Sequence, residues 1–252
     1  MKKTAHLILF TAWLLLGAYP GRVYASDADY RQGLKALEAR NYDEALHYFE
    51  LAVAGDPDNA KYANDYRQAA IRAKAFDRSL QFFQKQVSEH PNSSTLHLNY
   101  GFAHVDKIPV AGSITQVILA NTALTEFTRS IELQPSWVEY YTRGKSYLFW
   151  PKIFNRAAMG VADLEKAMEI QKKEPKRSYH VKVYVALGDG YWKTDQLEKA
   201  KALWRDGLKE FPDNADLNDR LSHQGDELKN LIEAGFDPSK RVNTDLSELW
   251  QN

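Results

Sequence analysis

The sequence predicts an all-α protein made by repeating one helix–turn–helix unit. Three observations carry that prediction. Large residues and prolines recur at a fixed period: Phe49 and Phe83 stand 34 residues apart, as do Pro57 and Pro91. Between these marks apolar residues follow the spacing of a helix with one buried face. The chain of 252 residues has no cysteine, so packed helices rather than disulfides must hold it together. A chain of this length can bury enough apolar surface to do so.

The clearest copy of the unit runs from Val181 to Asn214. Tyr184, Leu187, Gly188, Tyr191, Ala200, Trp204, Gly207 and Pro212 occupy its marked positions. Small residues at 188, 200 and 207 let two helices approach, and Tyr184, Tyr191 and Trp204 fill the space between them. Pro212 stops the second helix, because proline has no N–H and clashes with the preceding turn. The pattern closely resembles the tetratricopeptide (TPR) family, over roughly residues 26–222. That resemblance implies a right-handed α-solenoid of about five repeats with a C-terminal capping helix, acting as a protein-binding scaffold or adaptor rather than an enzyme.

The chain begins differently. Lys2 and Lys3 precede an apolar run from Ala5 to Tyr19, then Pro20 and Gly21 break the helix, and Val23-Tyr24-Ala25 follows. That order reads as a secretory signal peptide cut after Ala25. The run is short for a spanning helix, which needs about 20 residues. The alternative is an uncleaved inner-membrane anchor. A lipoprotein anchor is excluded by the lack of cysteine. The periplasm is the expected compartment. Loss of the leader takes Lys2, Lys3 and Arg22 with it, leaving 30 basic and 33 acidic residues. A near-balanced surface offers no concentrated basic face, so no nucleic acid is expected.

Repeat one spans residues 26–59, with Gly33, Tyr42, Ala45, Phe49, Ala52 and Pro57 in phase and Ser26 or Asp27 as the expected start of its first helix. Repeat two, 60–93, is the weaker copy: Arg67 replaces the glycine, and Ser79 and Gln86 replace alanines. Repeat three, 94–136, holds Gly101 and Phe127 at a separation of 26, against 16 from Gly33 to Phe49. Its turn is therefore enlarged, and its second helix, capped by Ser113, is predicted to be about two turns longer than usual. Repeat four, 137–180, enlarges the same turn through Phe149–Arg156. Lys172–Lys176 is a further insertion on the opposite edge. Repeat five, 181–214, precedes a cap helix over Ala215–Ser222. Asp226–Ala234 reads as a short amphipathic helix closed by Gly235. In the remaining tail, part of the 223–252 segment, Leu246, Leu249 and Trp250 would share one helical face able to dock on the array.

Catalytic motifs do not assemble. Arg143-Gly144-Lys145-Ser146 contains GKS, but Glu139 stands where a phosphate-binding loop needs its earlier glycine. His97 and His104 lie two turns apart, without the closer spacing that converges on one metal ion. His104 fills the slot of Tyr147 and Tyr191, so a packed ring is expected. There is no GxSxG elbow and no cysteine nucleophile. No cofactor and no metal are expected.

The resemblance places the first helix of each repeat along a concave groove. The family's groove slots fall on Tyr30 and Leu34; Asn64, Gln68 and Arg72; Leu98 and Phe102; Tyr141 and Lys145; and Val185, Asp189 and Trp192. This aromatic floor with a few charges suits an extended peptide or a partner helix. The Lys and Asn with which the chaperone-binding branch grips a carboxylate are replaced by Tyr30 and Leu34. A separate apolar edge patch is expected from the enlarged turns: Ile108, Pro109, Val110, Trp150, Pro151, Ile153 and Phe154. The expected role is a periplasmic adaptor or assembly factor that binds another exported or envelope protein. The alternatives are a membrane-tethered scaffold subunit of an envelope complex, and then an enzyme or small-molecule binder.

Overall fold

In repeats one, three and five the two helices close because one carries a glycine notch and the next carries a ring. A Cβ on Gly33 would sit 2.7 Å from the Phe49 ring, and one on Gly188 would come within 2.0 Å of the Trp204 indole nitrogen. Phe49, Phe83, Phe127 and Trp204 are all fully buried. The computed structural model describes residues 20–250. Five helix pairs follow one another: α1 (Pro20–Glu38) with α2 (Tyr42–Gly55), α3 (Ala60–Ala73) with α4 (Phe76–Glu89), α5 (Ser94–Lys107) with α6 (Ser113–Leu133), α7 (Trp137–Leu148) with α8 (Ala157–Gln171), and α9 (Val181–Lys193) with α10 (Leu197–Glu210). Then come α11 (Ala215–Ser222) and α12 (Gly225–Gly235). No strand occurs among the described residues. The architecture is an all-α solenoid.

Caps recur in register. Asn59, Ser93 and Asn214 each precede a helix and accept a hydrogen bond from the N–H of Tyr62, Leu96 and Leu217, at 3.2, 3.2 and 3.1 Å. Each satisfies a donor that the helix cannot, worth about 1 kcal/mol. Lys74, with φ of 56°, ends α3 in the left-handed region, the usual way to release a helix into a tight turn.

Several expectations change. The apolar run Ala5–Tyr19 lies outside the described residues. α1 already includes Pro20, the first described residue, so the helix runs through Ser26 and Asp27 rather than beginning at either. Ala25, the predicted cleavage position, is helical. α6 has 21 residues, against 14 in α2, α4 and α10. Its cap is Gly112, with Ser113 as the first helical residue and no side-chain capping bond.

Repeat two departs most. α3 and α4 pack less closely than the helices of the other four pairs, and Arg67 stands in the glycine slot with its side chain turned to α5 and the C-terminal segment. Its side chain is fully buried nonetheless. The core has three clusters. One joins repeats one and two around Phe49, Tyr66 and Phe83 and reaches Leu96 and Ala103 of α5. A second joins repeats four and five to α11 and α12 through Leu164, Trp204, Leu217 and Ile232. Between them Leu98, Phe102, Ala123 and Phe127 form a third, completed by Leu246 from the C-terminal segment.

That segment is not a free tail. After α12 the chain returns over the first helices of the repeats. Phe236 meets Phe149 edge-on at 5.2 Å. Residues 244–246 are non-helical and a single 3-10 turn, Ser247–Leu249, follows. Leu246, Leu249 and Trp250 do not share an α-helical face. They still converge on the third cluster, because two side-chain turns aim them there: Asn243 accepts the Asp245 N–H and Asp245 accepts the Ser247 N–H, each at 2.9 Å.

Candidate binding groove

The inner face is built by α3, α5, α7 and α9. Its polar end is organised by Arg67. The guanidinium donates Nε–H to Asn99 Oδ1 at 2.8 Å. One terminal nitrogen donates to Asp106 Oδ2 and to Thr244 Oγ1, both at 3.1 Å. The other donates to Asn64 Oδ1 at 3.2 Å and to the Thr244 carbonyl at 2.8 Å. All five N–H donors are thereby used. Thr244 Oγ1 donates in turn to Asp106 Oδ1 at 2.6 Å. Asn64 works in both directions: its Oδ1 accepts the Leu246 N–H at 2.9 Å, and its Nδ2 donates to Asp245 Oδ1 at 3.0 Å.

Burial governs the charges here. It pushes the Asp106 carboxyl up from its ordinary value, countered by Arg67 and the Thr244 hydroxyl. It pulls the Arg67 guanidinium down, countered first by Asp106. Asp245 is desolvated as well, but the Ser247 N–H and Asn64 hold it below the usual carboxylate range. Such a site is stable only when every member is paired.

The other end is apolar. A cavity of about 610 Å³ lies between the inner face of α5, α7 and α9 and residues 235–249. Phe102, Tyr141, Phe149, Val185, Phe236 and Leu249 line it, with Lys145 and Asp189 as polar points. Tyr141 is held flat on Trp137, with ring centroids 4.9 Å apart. Asp189 is gripped by Arg220 from α11 through two bonds of 2.6 and 2.7 Å. Burial raises the Asp189 carboxyl, and Arg220 opposes that rise.

The sequence-predicted groove residues divide three ways. Asn64, Leu98 and Phe102 lie under the C-terminal segment. Phe102, Tyr141, Lys145, Val185 and Asp189 line the cavity. Tyr30 is instead a core residue, stacked on Tyr62 at 4.5 Å and donating to Asp65 at 2.6 Å. Leu34 packs beside it at the margin of the same core, and Trp192 packs on the repeat-five core. Gln68 is half-buried, and Arg72 is exposed. Neither borders the cavity.

The edge patch turns out to be continuous with the groove. Ile108, Pro109, Trp150, Pro151 and Phe154 border the same cavity. Trp150 meets Phe154 edge-on at 5.5 Å and carries the Arg156 guanidinium 3.7 Å over its ring. Val110 and Ile153 point outward, Ile153 being 87% exposed. Ile114 on the lengthened start of α6 is 81% exposed.

Arg67, Asn99 and Asp106 were absent from the sequence-predicted groove. The signal was present: an arginine in a slot built for glycine has to find buried anionic partners. Gly144 of the GKS tripeptide is spent on packing, since a Cβ there would press on Leu164 and the Gly160 carbonyl. His97 bonds Glu126 at 2.6 Å and the Pro91 carbonyl at 3.1 Å. His104 is buried with neither ring nitrogen hydrogen-bonded, and burial lowers it to about 4.

Comparison with known proteins agrees with this architecture. Residues 36–104 match the tetratricopeptide repeat family. The chain is similar in structure to TTC0263, a thermophilic TPR protein of Thermus thermophilus, with a TM-score of 0.55 and 18% identity over 79% of this chain and 97% of that one. It is also similar to the MamA protein, at TM-score 0.51 and 14% identity over 80% and 96%. MamA from residue 41 onward of Desulfovibrio magneticus RS-1 gives 0.51 and 16% over 75% and 98%. No curated protein matches in sequence. Residues 36–104 match the tetratricopeptide repeat in sequence, and the chain as a whole shares the fold of tetratricopeptide-repeat proteins.

Proposed function

We propose that this chain is a non-enzymatic adaptor that takes a partner protein's extended segment along the inner face of α3, α5, α7 and α9. One observation carries the reading: this face already holds a stretch of polypeptide through its main chain, with Arg67 on the Thr244 carbonyl and Asn64 on the Leu246 N–H. Main-chain recognition supplies affinity, and side-chain pockets supply selectivity. The cavity beside it gives the partner's apolar side chains somewhere to go. The bordering edge, with Ile114, Ile153 and Phe154 exposed, extends the contact, since apolar surface of this kind marks interfaces.

The leader-like residues 1–25 support export, with the periplasm as the working compartment and an exported or envelope protein as partner. The second reading, a scaffold tethered by an uncleaved N-terminus, differs in mass. Among the described residues, no helix is long and apolar enough to cross a membrane. Intact mass of the protein isolated from the envelope fraction decides between residues 26–252 and the full chain. The binding role is tested by affinity capture from envelope extract, comparing the unmodified chain with Tyr141→Ala/Lys145→Glu. A discrete partner lost in the variant is the expected result. Equal capture by both would move the site out of the cavity, and no capture by either would overturn the adaptor reading.

A further inference from the structure

The groove holds a segment of its own chain, and the chemistry of that occupancy is specific. Three residues supply most of the contacts. Thr244 gives a hydroxyl to Asp106 and receives Arg67. Asp245 folds a side-chain turn onto Ser247 and receives Asn64. Leu246 inserts among Leu98, Phe102 and Phe127. Glu248 adds an ion pair to Lys182. The stretch leading in is not helical, and Lys240 and Arg241 are exposed, so departure of this segment would not require α12 to move.

Removing it would leave a marked deficit. Arg67 would lose both of its bonds to Thr244, Asn64 would lose its bonds to Asp245 and Leu246, and Asp106 would lose a donor. Buried polar groups left unpaired strongly disfavour an empty site and discriminate against any occupant that cannot replace the missing bonds. The groove therefore selects its filler by chemistry and not by apolar area alone.

We propose that residues Asn243–Leu249 are an intramolecular ligand that closes this groove, and that the partner segment displacing them has the same order of groups: a hydroxyl residue, an acidic residue that folds a side-chain turn, and an apolar residue. This rests on the adaptor reading and gives it a partner chemistry and a gate. A tethered ligand competes at an effective concentration in the millimolar range for a short linker. A free segment of the same chemistry thus binds weakly until the tether is loosened or the partner adds contacts in the cavity.

The test uses the full chain and a fluorescent synthetic peptide with the sequence of residues 241–250. Binding is measured by anisotropy to the unmodified chain, to Thr244→Ala/Leu246→Ser, and to that double variant with Asn64→Ala added. The expected result is at least tenfold tighter binding to the double variant than to the unmodified chain, and a loss of at least tenfold on adding Asn64→Ala. Equal binding to the first two, or binding indifferent to Asn64, overturns the proposal. Hydrogen exchange on the unmodified chain guards against a variant that misfolds. The Leu246 amide should exchange at least a hundredfold more slowly than in the free peptide, and faster once unlabelled peptide is added in excess. An amide as fast as in the free peptide, or one that excess peptide leaves unchanged, also overturns it. A groove-dependent partner from envelope extract with a failed peptide experiment would leave the adaptor standing and remove the self-ligand. A successful peptide experiment with no captured partner would do the reverse.

Discussion

Repeat five and repeat two are the same unit with opposite fates. In repeat five Gly188 lets Trp204 close the gap between α9 and α10, and the pair is finished by apolar packing. In repeat two Arg67 occupies the matching place, α3 and α4 stand less closely packed, and a buried guanidinium reaches Asn64, Asn99, Asp106 and Thr244. The better copy is scaffold. The worse copy, which gives up packing for a charge, holds the segment in the groove. A repeat protein can hide its site where its pattern is weakest, because regular positions are already committed to stacking.

The sharpest way to break the comparison is to return repeat two to the rule. Arg67→Gly leaves Asp106 buried without its cation, and removing one partner of a buried pair costs about 3–5 kcal/mol. Urea melts should show that loss, and Asp106→Asn added to Arg67→Gly should recover much of it. If Arg67→Gly instead raised stability, the buried pair would be dispensable.

The next effect concerns one slot in two repeats. Tyr191 fills it in repeat five with its hydroxyl on Glu165, while His104 fills it in repeat three. Burial lowers His104 to about 4 from an ordinary 6.5. Its stabilising contribution is complete above the unfolded value and is lost as pH falls from 6.5 towards 4, because the unfolded chain takes up the proton first. The loss over that window is about 3 kcal/mol. His104→Tyr should flatten stability against pH there. An unchanged slope would assign the acid sensitivity to other groups.

Gly188→Ala probes the regular copy. The added Cβ meets the Trp204 indole, and overpacking costs about 1–3 kcal/mol. Thermal melting should shift down while the Leu246 amide stays protected, since repeat five does not touch Asn64 or Arg67. The smallest effect belongs to the edge. Trp150→Ser/Phe154→Ser should change stability little, by analogy with surface substitutions of about 0.5 kcal/mol, while weakening partner capture. A collapse in helicity would mean that the edge is part of the core.

The fold class was legible because its signal is local and repeated. Gly33, Phe49, Gly188 and Trp204 recur at one spacing, and each notch and its ring come from adjacent helices, so the pairing follows from order along the chain. The length of α6 could also be read, from the separation of Gly101 and Phe127. The groove was only partly legible. Position in the repeat indicates which residues lie on first helices. It does not say that Tyr30 would be used up by Tyr62 and Asp65, nor that Ile108 and Trp150 would open into the cavity beside Tyr141.

An all-α stack of helical pairs follows from the order of residues alone, since hydrophobic period and glycine–aromatic spacing act over tens of residues. What the stack does with its oddities emerges only in three dimensions. Arg67 meets Thr244 across 177 positions, and Asn64 meets Leu246 across 182. No spacing rule reaches that far. Such a contact exists because a desolvated charge must find partners wherever the folded chain brings them, and here the chain brings its own end.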